Sequence, residues 1–85
     1  MDFSIYAIKA VNYNRIYVGF SLDVVKRVSE HNRGMVTSTK GYRPWKLIFT
    51  EVVGPDRKEA RKREKYYKSG CGKEFLKNYY ENLPL

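Results

Sequence analysis

The first twenty residues leave this chain little choice of how to begin. Phe3 to Ala10 is an apolar run in which Phe3, Ile5 and Ala7 alternate with Tyr6 and Ile8, and Arg15-Ile16-Tyr17-Val18-Gly19-Phe20 is a second such run. Asn12-Tyr13-Asn14 between them is turn chemistry, because asparagine tolerates the left-handed backbone of a tight reversal. The segment therefore reads as an antiparallel β-hairpin. An isolated hairpin is barely stable in water, so the rest of the chain must cover it.

The remaining sequence provides that cover. Ser21 can cap a helix that carries Asp23 in its first turn and reaches about Asn32, with Leu22, Val25 and Val28 on one stripe and Gly34 as a stop. Residues 35–44 read as an exposed basic loop. Trp45 to Val53 is a third strand, ended by Gly54-Pro55, and Pro55 suits the first turn of a second helix reaching about Lys68. Ser69-Gly70 ends that helix. A last one, about Lys73 to Tyr80, carries Phe75, Leu76, Tyr79 and Tyr80 at helical spacing. The order β-β-α-β-α-α predicts an α/β (α+β) fold: a small three-stranded antiparallel sheet flanked by helices. With 85 residues, the expectation is one domain over 1–85. So short a chain hides only roughly two-thirds of its unfolded surface, and its eight Tyr, four Phe and one Trp supply the large side chains such a core needs.

Charge narrows the partner. Lys and Arg number 17 against 9 Asp and Glu, a net +8, which gives a field suited to a polyanion. Cys71 is the single cysteine, so no internal disulfide forms, and one His with one Cys builds no structural zinc site. The start has no signal-peptide core, and no segment approaches the ~18 apolar residues of a membrane span. A soluble cytoplasmic protein is expected, with no membrane partner and no small-molecule cofactor.

Several residues stand out as candidates for chemistry. A two-residue turn puts Tyr6 and Tyr17 on one face and diagonally close, whereas a three-residue turn separates them. Arg27 and His31 are four apart on the first helix and point the same way. On the second helix Ala60, Glu64 and Tyr67 share the stripe that must meet the sheet, and a carboxylate there needs a cation, a metal or water. Each feature has an ordinary alternative: strand tyrosines are common, Arg27 and His31 can be a solvated face, and Glu64 can pair with Arg63 or Lys68.

In combination they resemble the GIY-YIG nuclease superfamily, over about Phe3 to Asn78. The first motif stands as Ser4-Ile5-Tyr6 and the second as Tyr17-Val18-Gly19, with Arg27 and His31 following on the first helix and Glu64 within Ala60-Arg61-Lys62-Arg63-Glu64. The family's downstream asparagine matches Asn78, with Asn82 the alternative. Short single-domain bacterial members are especially similar in Glu30-His31-Asn32, Ser38-Thr39-Lys40 and Arg63-Glu64-Lys65-Tyr66, and the N-terminal endonuclease domain of UvrC is similar as well. Ser4 replaces the first glycine, a change a strand tolerates. The chain is expected to lack the added DNA-binding domain of larger members, which leaves target specificity open.

The resemblance implies a metal-dependent DNA endonuclease acting on duplex or branched DNA, with the oligomeric state left open. Glu64 would hold one Mg²⁺ or Mn²⁺, and Arg27 would set a fixed cation against the transition-state charge. Tyr6 would take the proton from water with Tyr17 hydrogen-bonded to it, or the reverse, and His31 would orient a tyrosine or relay its proton. A tyrosine phenolate near neutral pH needs its pKa lowered by ~2–3 from about 10, and a neighbouring cation with a second hydroxyl is expected to lower it. Lys40, Arg43, Arg63 and Asn78 are the expected nucleic-acid contacts. The nine acids are scattered along the chain, which suits one metal better than two. A nucleic-acid-binding module of the same fold that cuts poorly is the alternative.

Overall fold

The computed structural model describes residues 1–84. The hairpin forms from β1 (Phe3–Ala10) and β2 (Ile16–Ser21), paired antiparallel. Ala10 N donates to the Arg15 carbonyl at 3.0 Å, closing a connection over residues 11–14. That loop is longer than a two-residue turn but has the same parity, and the register sets Tyr6 opposite Gly19 and Ile8 opposite Tyr17. Tyr6 and Tyr17 are thereby diagonal neighbours on one face.

β3 (Trp45–Gly54) joins the other side of β1, so the antiparallel sheet has the order β2-β1-β3. Being central, β1 is covered on both faces, and every residue from Ile5 to Ile8 is buried. Ile5 and Ala7 share a core with Val18, Ile48, Tyr67 and Leu76, which brings α3 (Arg57–Lys68) and α4 (Gly70–Glu81) onto that face. Tyr6, Ile8 and Ala10 share the opposite core with Trp45, against Val24 and Val28 of α1 (Val24–Asn32) and Tyr42. Among the described residues no helix is long and apolar enough to cross a membrane.

Four local expectations change. Asp23, not Ser21, caps α1: its carboxylate accepts from Lys26 N at 3.1 Å, while the Ser21 hydroxyl accepts from Asp23 N at 3.0 Å, one step earlier. The inward stripe is Val24, Val28 and His31, while Leu22, which precedes the helix, and Val25 are exposed. Residues 35–44 are not wholly an exposed loop, because they include the short helix α2 (Thr37–Lys40), whose Thr39 is only 1% exposed. The Asn32 side chain donates to the Trp45 carbonyl at 3.0 Å and accepts from Trp45 N at 2.7 Å, while Trp45 Nε1 donates to the Thr39 carbonyl at 2.9 Å. These bonds fasten the end of α1, and α2 at Thr39, to the start of β3.

The other two changes concern α3 and α4. Pro55 lies outside α3, which is capped by Asp56 through a 2.8 Å bond from Lys58 N. α4 begins at Gly70 rather than near Lys73, because Ser69 ends one helix and caps the next. Gly72 resembles a helix breaker in sequence, yet a Cβ there would land on the Tyr66 carbonyl and Tyr67 Cα. Its missing side chain is what lets α4 pass so close to α3.

Candidate active site

Tyr6 reaches its neighbours because Gly19 lies across from it. The Tyr6 ring crosses the bare backbone of Gly19, where an added Cβ would sit 2.6 Å from the hydroxyl and 2.7 Å from Cζ. On the far side of that crossing the Tyr6 hydroxyl meets His31 Nε2 at 2.8 Å, and His31 Nδ1 meets Thr39 Oγ1 at 2.8 Å. Tyr17 closes the group, its ring centroid 6.4 Å from Tyr6 and 4.9 Å from His31. Tyr6, His31 and Thr39 are all at most 1% exposed, and each buried side-chain polar atom among the described residues has a partner.

The electrostatics differ from the expectation of an acidified tyrosine. Burial pushes the Tyr6 phenol up to about 12, and the negative forms of Tyr17 and Glu64 push the same way. Arg27 pulls it down, but by less than the loss of water raises it. Tyr6 is therefore a neutral phenol here. His31 is held below its ordinary value of 6.5 by burial and by the Arg27 charge, with Glu30 opposing, so its imidazole is neutral near pH 7. Arg27 keeps its place by a 3.1 Å ion pair with Glu30, one turn along α1.

Glu64 comes from the opposite side, on the inward stripe of α3 with Ala60 and Tyr67. Its side chain is 22% exposed and sits 3.7 Å from Lys68 Nζ, which itself lies 5.7 Å from the centre of the Tyr17 ring. The structure thus gathers Tyr6, Tyr17, Arg27, His31 and Glu64 around the β2 edge of the sheet. No group of three or more His, Cys, Asp or Glu side chains forms a ready-made metal cage among the described residues. A single carboxylate nevertheless fits Mg²⁺, which commonly keeps several waters and takes one or two protein carboxylates plus substrate phosphate.

Not all expected contacts join this group. Arg63 is turned to β3, where its Nε and one terminal nitrogen bind both oxygens of Glu51 at 2.8 and 2.9 Å, and the Tyr67 hydroxyl donates to the same carboxylate at 2.7 Å. Lys40 and Arg43 are exposed on α2 and the segment after it, with Arg43 Nε donating to the Lys40 carbonyl at 2.8 Å. Asn78 is exposed on α4, and its carbonyl accepts from the Asn82 side chain at 2.7 Å.

The structure also adds residues that were not among the expected site residues. A groove of about 650 Å³ runs past Tyr17 along the β2 edge, and Arg15, Lys68, Lys73 and Lys77 line it without one carboxylate. Lys73 and Lys77 are four apart on α4, the only sequence hint that they share a side. Thr39 gave no hint of burial, since a threonine between Ser38 and Lys40 reads as loop surface. Glu51 gave none either, because its partner lies on another element.

The GIY-YIG catalytic domain profile matches residues 2–79 of the chain. Among solved structures, the solution NMR structure of the UPF0213 protein BH0048 from Bacillus halodurans is similar, with 28% identity, 92% of this chain and 84% of that one covered, and a TM-score of 0.53. No curated protein matches the chain closely enough to add another relative.

Proposed function

The chain belongs to the GIY-YIG catalytic domain family, and on that footing we propose that it is a metal-dependent DNA endonuclease. Membership alone makes it one of a nuclease-type family whose members generally need a metal. The single observation that carries the finer reading is the buried contact of Tyr6 with a neutral His31, beside Arg27 and across from Glu64.

The proton has to be accounted for first. A phenol at about 12 is no base at neutral pH, so Tyr6 can accept a proton only while passing its own to another group. His31 Nε2, 2.8 Å away, is that group. As the water oxygen bonds to phosphorus and the bond to the leaving oxygen breaks, the water proton moves to the Tyr6 oxygen. The Tyr6 proton moves at the same time to His31, and the leaving oxygen takes its proton from solvent. Tyr17, which lines the groove and stands beside Tyr6, would bound the approach of that water.

Arg27 faces the charge that builds on the phosphoryl oxygens, and Glu30 fixes its position. Mg²⁺ or Mn²⁺ held by Glu64 would polarise a phosphate oxygen and the leaving oxygen. The four groove cations hold the flanking phosphates, with Lys40 and Arg43 as outer contacts. Arg63 acts instead through Glu51, holding α3, and with it Glu64, against β3.

Supercoiled plasmid incubated with the protein and Mg²⁺, Mn²⁺ or EDTA tests the reading. Nicking is expected with metal only and is lost in Glu64→Gln, which keeps the shape but removes the ligand charge. DNA binding with no metal-dependent nicking of supercoiled, branched or single-stranded DNA would leave a nucleic-acid-binding module. Cleavage by Glu64→Gln at the wild-type rate would show that Glu64 is not the ligand.

A further inference from the structure

The mechanism above needs the lone pair of His31, not its N–H, to face Tyr6, and the hydrogen bonds around the ring decide which nitrogen carries the proton. We propose that Thr39 is a positioning residue that fixes the His31 tautomer; the inference rests on the proton path just described but can be measured apart from it. The decision is made at both ends of the chain of bonds.

At the Tyr6 end, His31 Nε2 is the hydrogen-bond partner of a hydroxyl that is buried and un-ionised. That hydroxyl carries a proton and must donate it. If Nε2 also carried a proton, two hydrogens would point at one another across 2.8 Å, or the Tyr6 proton would turn away from the one hydrogen-bond partner its hydroxyl has among the described residues. Thr39 repeats the same constraint at the other end. Its hydroxyl donates at 3.3 Å to the carbonyl of Val36, the residue that precedes α2, so its oxygen faces His31 Nδ1 as an acceptor. Nδ1 therefore holds the hydrogen and Nε2 is bare. One direction of donation, from Tyr6 to His31 to Thr39 to Val36, satisfies every group. The reverse direction leaves the Tyr6 proton stranded.

The placement of Thr39 is secured independently of the imidazole. Trp45 Nε1 donates to the Thr39 carbonyl, and Asn32, the residue after His31, pairs with both backbone groups of Trp45. Helix α1, which carries His31, and helix α2, which carries Thr39, are thus held by the same residue of β3. Thr39 thus supplies the acceptor for the Nδ1 hydrogen from a rigid place, and a methyl in its position leaves that buried hydrogen unpaired without changing the volume, so the Nδ1–H tautomer loses its advantage over the other.

Nitrogen NMR of the imidazole reads the tautomer directly, and the chain's one histidine gives one pair of ring signals. In the wild-type protein at neutral pH, Nδ1 is expected at the shift of a protonated nitrogen and Nε2 at that of a bare one. Thr39→Val should move both signals toward the opposite tautomer or a mixture, whereas Thr39→Ser, which restores the hydroxyl, should return them to wild type. Metal-dependent nicking should fall in Thr39→Val by roughly a hundredfold, the low end of what a positioned base supplies, and recover in Thr39→Ser. A bare Nδ1 in the wild-type protein overturns the proposal, and so do Thr39→Val signals that coincide with wild type. The wild-type spectrum decides the matter even if Thr39→Val does not fold. A shifted tautomer in a protein that never nicks DNA would uphold the role of Thr39 and sink the nuclease reading alone.

Discussion

Replacing Gly19 by alanine should disable the site through one methyl group, and the structure gives the size of the effect. The new Cβ would stand 2.6 Å from the Tyr6 hydroxyl, where ordinary contact begins near 3.4 Å, so the ring must yield by about 0.8 Å. Neither partner is soft: the Tyr6 ring is rigid and 1% exposed, and Gly19 is hydrogen-bonded sheet opposite it. If the ring yields away from His31, the 2.8 Å bond lengthens to about 3.6 Å, which is no longer a hydrogen bond. Overpacking of this kind costs about 1–3 kcal/mol. Urea unfolding should show that loss with an unchanged slope, and plasmid nicking should fall far more than the loss of folded protein explains. Wild-type stability together with wild-type nicking in Gly19→Ala would refute the argument, because it would mean that the ring has room the packing denies it.

Two further outcomes follow from other parts of the molecule. Replacing Lys73 and Lys77 together by alanine removes two of the four groove cations, so the slope of log affinity against log salt for duplex DNA should shrink by about 1.8, at ~0.9 per phosphate contact; an unchanged slope in a fluorescence titration would place the DNA elsewhere. Glu51→Gln should cost about 1 kcal/mol, a value discounted because Arg63 and Glu51 are 41% and 29% exposed. Arg63 and Tyr67 hold the Glu51 carboxyl below its ordinary 4.5, so its contribution is present above that pH and is lost as pH falls through the lower folded value. The stability gap between wild type and Glu51→Gln should therefore close on acidification below about 4.5, and a gap that persists at strongly acid pH would count against the ion pair.

How much of this could be read from the sequence depends on whether the cause was local. The hairpin, the third strand and the stripe of Ala60, Glu64 and Tyr67 are set by alternation, turn residues and helical period, and each stands where those patterns put it. The errors came where a capping or packing contact overrode the pattern. Asp23 displaced Ser21 as the cap, Val24 displaced Leu22 and Val25 on the inward stripe, and Ser69 capped a helix that begins at Gly70 rather than near Lys73. Within the site, spacing could bring Tyr6, Tyr17, Arg27 and His31 to one region. It could not show that burial outweighs Arg27 at Tyr6, since desolvation depends on everything packed around the ring. The contacts of Thr39 and Glu51 were invisible for the same reason: their partners, His31 and Arg63, belong to other elements.

The most direct test of the central claim is single-turnover nicking of supercoiled DNA in Mg²⁺ by wild type, Tyr6→Phe and Tyr17→Phe, with DNA binding measured on the same samples. Tyr6→Phe keeps the ring over Gly19 but removes the hydroxyl bonded to His31. The account predicts near-complete loss of nicking in Tyr6→Phe with binding unchanged, and a smaller loss in Tyr17→Phe. Nicking by Tyr6→Phe at the wild-type rate would contradict it, because no proton would then need to pass through Tyr6.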